Sequence, residues 1–211
     1  DWANIEALTA MPRLLALLAA RATGTLNLSE VARSTGIPQT TLRRYLTLLE
    51  AAFLVQTLPP WFVNIGKRLL KSHKVLMCDT GLMAYELGIN LDRLAAEPAL
   101  AGPLLENFVA MELYKQAAWS LTQPELFHFR TQAGEEVDIL LENKAGGVVG
   151  IEVKASATVE SKDFKGLRLV AGALGPRFRR GVVLYTGRET VPFGAQLHAV
   201  PISALWEPAA C

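Results

Sequence analysis

Residues 135–156 read EEVDILLENKAGGVVGIEVKAS. Two β-prone apolar runs flank a Gly-containing turn, the pattern of a hairpin with strands over 135–142 and 148–155. Charges interrupt both runs: Asp138 in the first, Glu152 and Lys154 in the second. Side chains alternate across a strand, so Glu152 and Lys154 share one face while Ile151, Val153 and Ala155 take the other. Val137, Ile139 and Leu141 form one face of the first strand, with Asp138 opposite. In the register expected of such a hairpin the three charged groups converge. Burying three charges without mutual pairing or a metal is costly. A plainer reading also fits, in which Lys154 forms an ion pair with Glu152 or Asp138 at a sheet surface.

Two carboxylates at the end of adjacent strands make a hard oxygen site suited to Mg²⁺ or Mn²⁺. A lysine two residues beyond one of them can orient or deprotonate a water, or stabilise charge on a phosphate. That chemistry is phosphodiester hydrolysis.

The rest of the chain supplies the context. It has 211 residues, 51% hydrophobic and 19% charged, a composition for well-buried cores rather than disorder. No apolar run approaches the ~18 residues of a membrane helix, so no membrane partner is expected. Cys78 and Cys211 form neither a disulfide framework nor a zinc motif, which fits a reducing cytoplasm. The net charge of +1 excludes a strongly basic nucleic-acid coat, leaving DNA contact to local patches. The chain starts at Asp1 without a secretory pattern, so a fragment or processed product is expected. The histidines His73, His128 and His198 lack metal-ligand spacing.

Residues 1–50 carry helical periodicity, interrupted at Thr23-Gly24. Ser29 is a candidate cap for a short helix through Ser34, Gly36 for the turn, and Pro38 for the start of a second helix reaching Ala51. Leu42, Tyr45, Leu46 and Leu49 form its inward stripe; Thr40, Thr41, Arg43 and Arg44 lie near its exposed first turns. A strand is expected over 53–58. A basic cluster, Lys67, Arg68, Lys71, His73 and Lys74, precedes a second strand at 75–78. It fits either a solvated turn or a phosphate-facing one. Asp79 or Thr80 can cap the next helix. Pro98 and Pro103 mark a junction, which divides the chain into 1–97 and 98–211. Beyond it, a helix at 104–119, strands at 126–130, 135–142 and 148–155, a helix at 161–173 and a strand at 180–186 give an α/β (α+β) domain with a mixed sheet. Lys162, Lys165, Arg168, Arg177, Arg179 and Arg180 flank the proposed site or belong to solvated loops.

The segment NLSEVARSTGIPQTTLRRYLTLLEAAFLVQTLPPW, residues 27–61, resembles the winged helix-turn-helix family. That likeness implies DNA contact by Thr40, Thr41, Arg43 and Arg44, with Lys67 and Arg68 on the wing, or protein contact instead. The pattern Asp138…Glu152-x-Lys154 resembles the PD-(D/E)xK superfamily, the restriction-endonuclease-like fold, with Val137 where the motif's proline would stand. It implies Asp138, Glu152 and a helical acid as metal ligands and Lys154 as the catalytic lysine. Glu106 in LLEN is the first candidate for the helical acid and Glu112 the second. Four segments in order, KRLLKSHKVLMCDTGLMAYELG, GPLLENFVAMEL, FHFRTQAGEEVDILLE and GIEVKAS, are similar to the C-terminal half of a family of prokaryotic AAA-type ATPases. The expectation is then a DNA-binding, Mg²⁺- or Mn²⁺-dependent nuclease-like module partnered by its own ATPase domain. A non-catalytic DNA-binding or regulatory module is the alternative. Gly66-Lys67 lacks the spacing of a phosphate loop, so no ATP site is expected within these residues.

Overall fold

Local chemistry fixes the N-terminal helices. A computed structural model of the chain describes residues 5–62, 72–131 and 133–207. Helix α1 (Ile5–Ala20) is followed by α2 (Leu28–Thr35) and α3 (Gln39–Ala51). Asn27, rather than the expected Ser29, caps α2: its Oδ1 accepts the N–H groups of Ser29 and Glu30. Gly36 closes α2 at φ 71°, a left-handed conformation that glycine adopts without a Cβ penalty. Pro38 then sets an extended entry to α3, whose Leu42, Leu46 and Leu49 are buried with Leu14, Leu18 and Val31. The stripe read from the sequence is the core face.

Strands β1 (Val55–Leu58) and β2 (Lys74–Met77) pair antiparallel, from Val55↔Met77 to Leu58↔Lys74. The other edge of β2 is covered by residues 23–26, where Thr23 N–H donates to Val75 O and Leu26 N–H to His73 O. Asn107 continues that cover at Met77. Fully buried, it accepts the Met77 N–H at 2.8 Å and donates to the Met77 carbonyl at 2.9 Å, imitating a strand partner. It also donates to Thr80 Oγ1. Helices α4 (Thr80–Glu86), capped by Asp79, and α5 (Leu91–Ala96) lead to the long helix α6 (Ala101–Trp119).

The chain divides into two units, one of residues 1–58 and 72–107, the other of 59–71 and 108–211. The division differs from the proline-marked junction at 97/98 for a physical reason. Glu106 and Asn107 bond to β2, which ties the start of α6 to the helical unit. Residues 59–61 instead run beside β3 (Glu125–Arg130): His128 N–H donates to Pro59 O and Trp61 N–H to His128 O.

The second unit holds a mixed sheet, ordered β3-β4-β5-β6-β8-β7 among the described residues. Strands β4 (Glu136–Glu142) and β5 (Val148–Lys154) form the antiparallel hairpin expected from the sequence. Helix α7 (Lys165–Leu174) crosses over to β6 (Phe178–Tyr185), parallel to β5. Strand β8 (Leu197–Pro201) lies parallel to β6, with the short β7 (Val191–Pro192) on its outer edge. The core under α7 contains Leu140, Val148, Phe164, Leu167, Val170 and Phe178. Gly150 and Gly181 are ladder partners, and a Cβ on either would stand 2.6 Å from a leucine methyl. Their bare backbones admit Leu167 and Leu197. The architecture is therefore α+β, with helices first and a helix-flanked mixed sheet second. Among the described residues no helix is long and apolar enough to cross a membrane.

Replacing Asn107 by Ala leaves two buried backbone groups of Met77 without that partner. The expected loss is about 2–3 kcal/mol in denaturant-induced unfolding. An unchanged midpoint would contradict a bracing role for this amide.

Candidate metal and phosphodiester site

The β4–β5 turn is built by Asn143, whose Oδ1 accepts the N–H groups of Ala145 and Gly147, with Gly146 at φ 77°. This turn fixes the register Glu142↔Val148 through Ile139↔Ile151. The regular ladder stops there. The Val153 N–H goes to Asp138 Oδ2 at 2.9 Å, so a carboxylate takes the place of a backbone acceptor. Asp138 is only 8% exposed. Beyond Ile139 the alternation expected of β4 breaks: three steps from Leu140 to Val137 oppose two from Phe127 to Phe129, and Val137 packs with Leu140 in the core under α7, so Asp138 sits at a bulge rather than on the Leu140 face. On β5, Glu152 and Lys154 share the Gly150 face, which lies under α7.

Gly166 sets how close the helix comes. A Cβ at this position would stand 2.1 Å from the Glu136 carbonyl and 3.1 Å from Glu152 Oε1. No side chain fits there. The first turn of α7 thus rests on the start of β4 and on the Glu152 carboxylate, shielding one flank of the acids.

Lys154 forms its ion pair with an acid outside the hairpin, not with Glu152 or Asp138 as the plainer sequence reading has it. Its Nζ lies 2.9 Å from Asp163 Oδ1. Asp163 sits in the turn Ser161–Phe164, and its Oδ2 accepts the Glu160 N–H at 2.8 Å. Burial pushes the Asp163 carboxyl up. The Glu160 N–H and the Lys154 ammonium outweigh that effect and hold it below the usual carboxylate range. The sequence reading missed Asp163 among the basic residues around it. Its signal was the Glu160-x-x-Asp163 spacing, a capping box ahead of the apolar run of α7.

The other expected residues fall elsewhere. Glu106 belongs to the first unit, where its carboxylate takes the buried Lys74 ammonium at 2.8 Å. Lys74 is accordingly an internal ion-pair partner rather than part of a solvent-facing basic cluster. Lys67 and Arg68 lie outside the described residues. Glu112 accepts from Trp206 Nε1 at 3.2 Å and pairs with Lys115. Among the described residues no group of three or more His, Cys, Asp or Glu side chains is placed to hold a metal ion. Asp138 and Glu152 supply carboxylate oxygens, the donor type that Mg²⁺ takes. On α3, Thr40, Arg43 and Arg44 are exposed and Thr41 half-buried.

Much of the neighbouring basic charge is already paired. Arg177 reaches Glu142 Oε1 at 2.6 Å and lies over the Trp61 ring, which donates to the same carboxylate. Lys165 pairs with Glu135 and Lys162 with Glu160. Arg168 donates to the Ser161 carbonyl and Oγ. These contacts brace the hairpin ends and the start of α7.

Comparison with known proteins divides the chain between residues 93 and 101, beside the proline-marked junction rather than at the unit boundary. Residues 101–205 match a family model described as a domain of unknown function (DUF4143). Residues 1–93 match a second domain of unknown function (DUF8612). Two uncharacterized proteins, from Mycobacterium bovis and Mycobacterium tuberculosis, are each 39% identical over 175 residues, or 82% of this chain. The matched region is 37% of each relative, so the chain spans about a third of their length. No solved structure matches.

The close approach at Gly166 yields a paired test on one helix. Gly166→Ala should destabilise by about 1–3 kcal/mol through overpacking against the Glu136 carbonyl. Gly172→Ala, where an added Cβ meets nothing within 4 Å, should be neutral or stabilise by about 0.5–1 kcal/mol. Equal effects in chemical denaturation would contradict the tight contact.

Proposed function

We propose that the second unit is a metal-dependent nuclease-like module that hydrolyses phosphodiester bonds in DNA, and that the helical unit contributes DNA contact. The observation that carries this reading is the end of the β4–β5 ladder. There Asp138 replaces a backbone acceptor for Val153, the Glu152 carboxylate lies against Gly166 of α7, and Lys154 follows two residues on along β5. Carboxylate oxygens are the hard donors that a divalent ion takes.

Asp138 and Glu152 would hold Mg²⁺ or Mn²⁺. When bound, such an ion supplies Lewis-acid stabilisation to a phosphate. Glu106, taken by Lys74, is not part of this set. Lys154 offers its ammonium to a non-bridging phosphate oxygen or orients the attacking water. The Asp163 carboxylate beside it gives that ammonium a fixed partner, which suits an orienting role. In the helical unit, Thr40, Thr41, Arg43 and Arg44 on the leading turns of α3 are suited to base edges and phosphates, the use made of this helix in winged helix-turn-helix proteins. The order of the four segments that are similar to AAA-type ATPases, and the greater length of the mycobacterial relatives, support a place beside an ATPase domain.

A second reading has its own support. Lys154 is already neutralised by Asp163, and no three-acid cluster stands among the described residues. Both features suit a nuclease-like fold used to bind DNA without cutting it.

Incubation of supercoiled plasmid with the chain and Mn²⁺ separates the two. The catalytic reading predicts nicking that EDTA stops, that Asp138→Asn lowers about 100-fold or more, and that Lys154→Ala lowers similarly while sparing Mn²⁺ affinity. Cleavage that persists in Asp138→Asn contradicts it. Duplex binding without cleavage, weakened by Arg43→Ala with Arg44→Ala, selects the non-catalytic reading.

A further inference from the structure

Lys154 is long, flexible and 45% exposed in its side chain, whereas the Asp163 side chain that meets it is 8% exposed. The acid is therefore the fixed end of the pair. It is held from both sides: Asp163 Oδ2 accepts the Glu160 N–H, and the Glu160 carboxylate accepts the Asp163 N–H in return. The next residue, Phe164, is fully buried under α7 and stacks on Phe193 at a centroid distance of 4.6 Å. Two residues further, Gly166 rests against Glu152 Oε1. One rigid turn, residues 160–166, thus touches both the acid and the lysine of β5.

We propose that Asp163 is the positioning residue of this site: it holds the Lys154 ammonium in place beside the end of β5 while the same turn shields Glu152. The assignment rests on the role given to Lys154 above. Capping alone explains the two backbone bonds but not the lysine. A cap needs only an acceptor oxygen, whereas fixing an ammonium benefits from a full negative charge. Asparagine at 163 keeps an acceptor for the Glu160 N–H and removes the charge. Glutamate keeps the charge and moves it by one methylene.

The difference between these variants is measurable without any cleavage. In the ¹³C-lysine-labelled chain, side-chain NMR relaxation should show Lys154 Cε more restrained in the native protein than in Asp163→Asn. Asp163→Asn should release Lys154 while leaving Mn²⁺ affinity and the melting temperature near wild type. Asp163→Glu should restore part of the restraint. If the native chain cleaves DNA, Asp163→Asn should fall to the level of Lys154→Ala, with partial recovery in Asp163→Glu. Lys154 equally restrained in Asp163→Asn, or full cleavage by that variant, would overturn the proposal. Restraint released in a native chain that never cleaves would instead support the positioning role and contradict the catalytic one.

Discussion

The bare Cα of Gly166 is the constraint on which the candidate site depends. With a carbon only 2.1 Å from the Glu136 carbonyl excluded, α7 can descend until its first turn meets β4 and the Glu152 carboxylate. Gly150 and Gly181 extend the same principle along the sheet, where Leu167 and Leu197 fill the space that their side chains would occupy. The result is a helix set close over β5 and its Glu152 carboxylate. Interactions between charges strengthen when water is partly excluded, so this approach governs the electrostatics as well as the packing.

Asp138 shows how a strand can end in a functional group. A β-ladder normally satisfies each backbone N–H with a carbonyl, yet Val153 donates to a side-chain carboxylate instead. The arrangement satisfies the backbone and holds the acid in one orientation. It also brings negative charge into a largely buried position, where a nearby cation stabilises it. The first unit contains a comparable solution with the opposite geometry. Lys74 is a buried cation on a strand, and Glu106 from α6 neutralises it directly. In the second unit Lys154 pairs with Asp163.

The sequence revealed the elements governed by short-range rules. Period-two alternation located β4 and β5, the Gly-containing turn set their register, and helical spacing found the buried stripe of α3. The charged residues were legible because they broke an apolar pattern. What stayed hidden depended on contacts between distant positions. Asn107 bonds to Met77 thirty residues away, and nothing in LLEN distinguishes an amide that braces a strand from one that faces water. Glu106 sat beside the apolar stripe as expected, but periodicity gives a face and not the element that covers it; here that was Lys74. Asp163 was masked by Lys162 and Lys165, although its capping-box spacing was present. The unit boundary shifted because hydrogen bonds from residues 59–61 to β3, and from α6 to β2, decide it rather than the prolines near position 100.

The central proposal is that Asp138 and Glu152 share one divalent cation. Its most direct test is a crystal of the chain grown with Mn²⁺ and measured at a wavelength where manganese scatters anomalously. The account predicts one strong anomalous peak in bonding contact with carboxylate oxygens of both Asp138 and Glu152, absent from the Asp138→Asn crystal. A fully ordered site at saturating Mn²⁺ with no peak between the two carboxylates would contradict it.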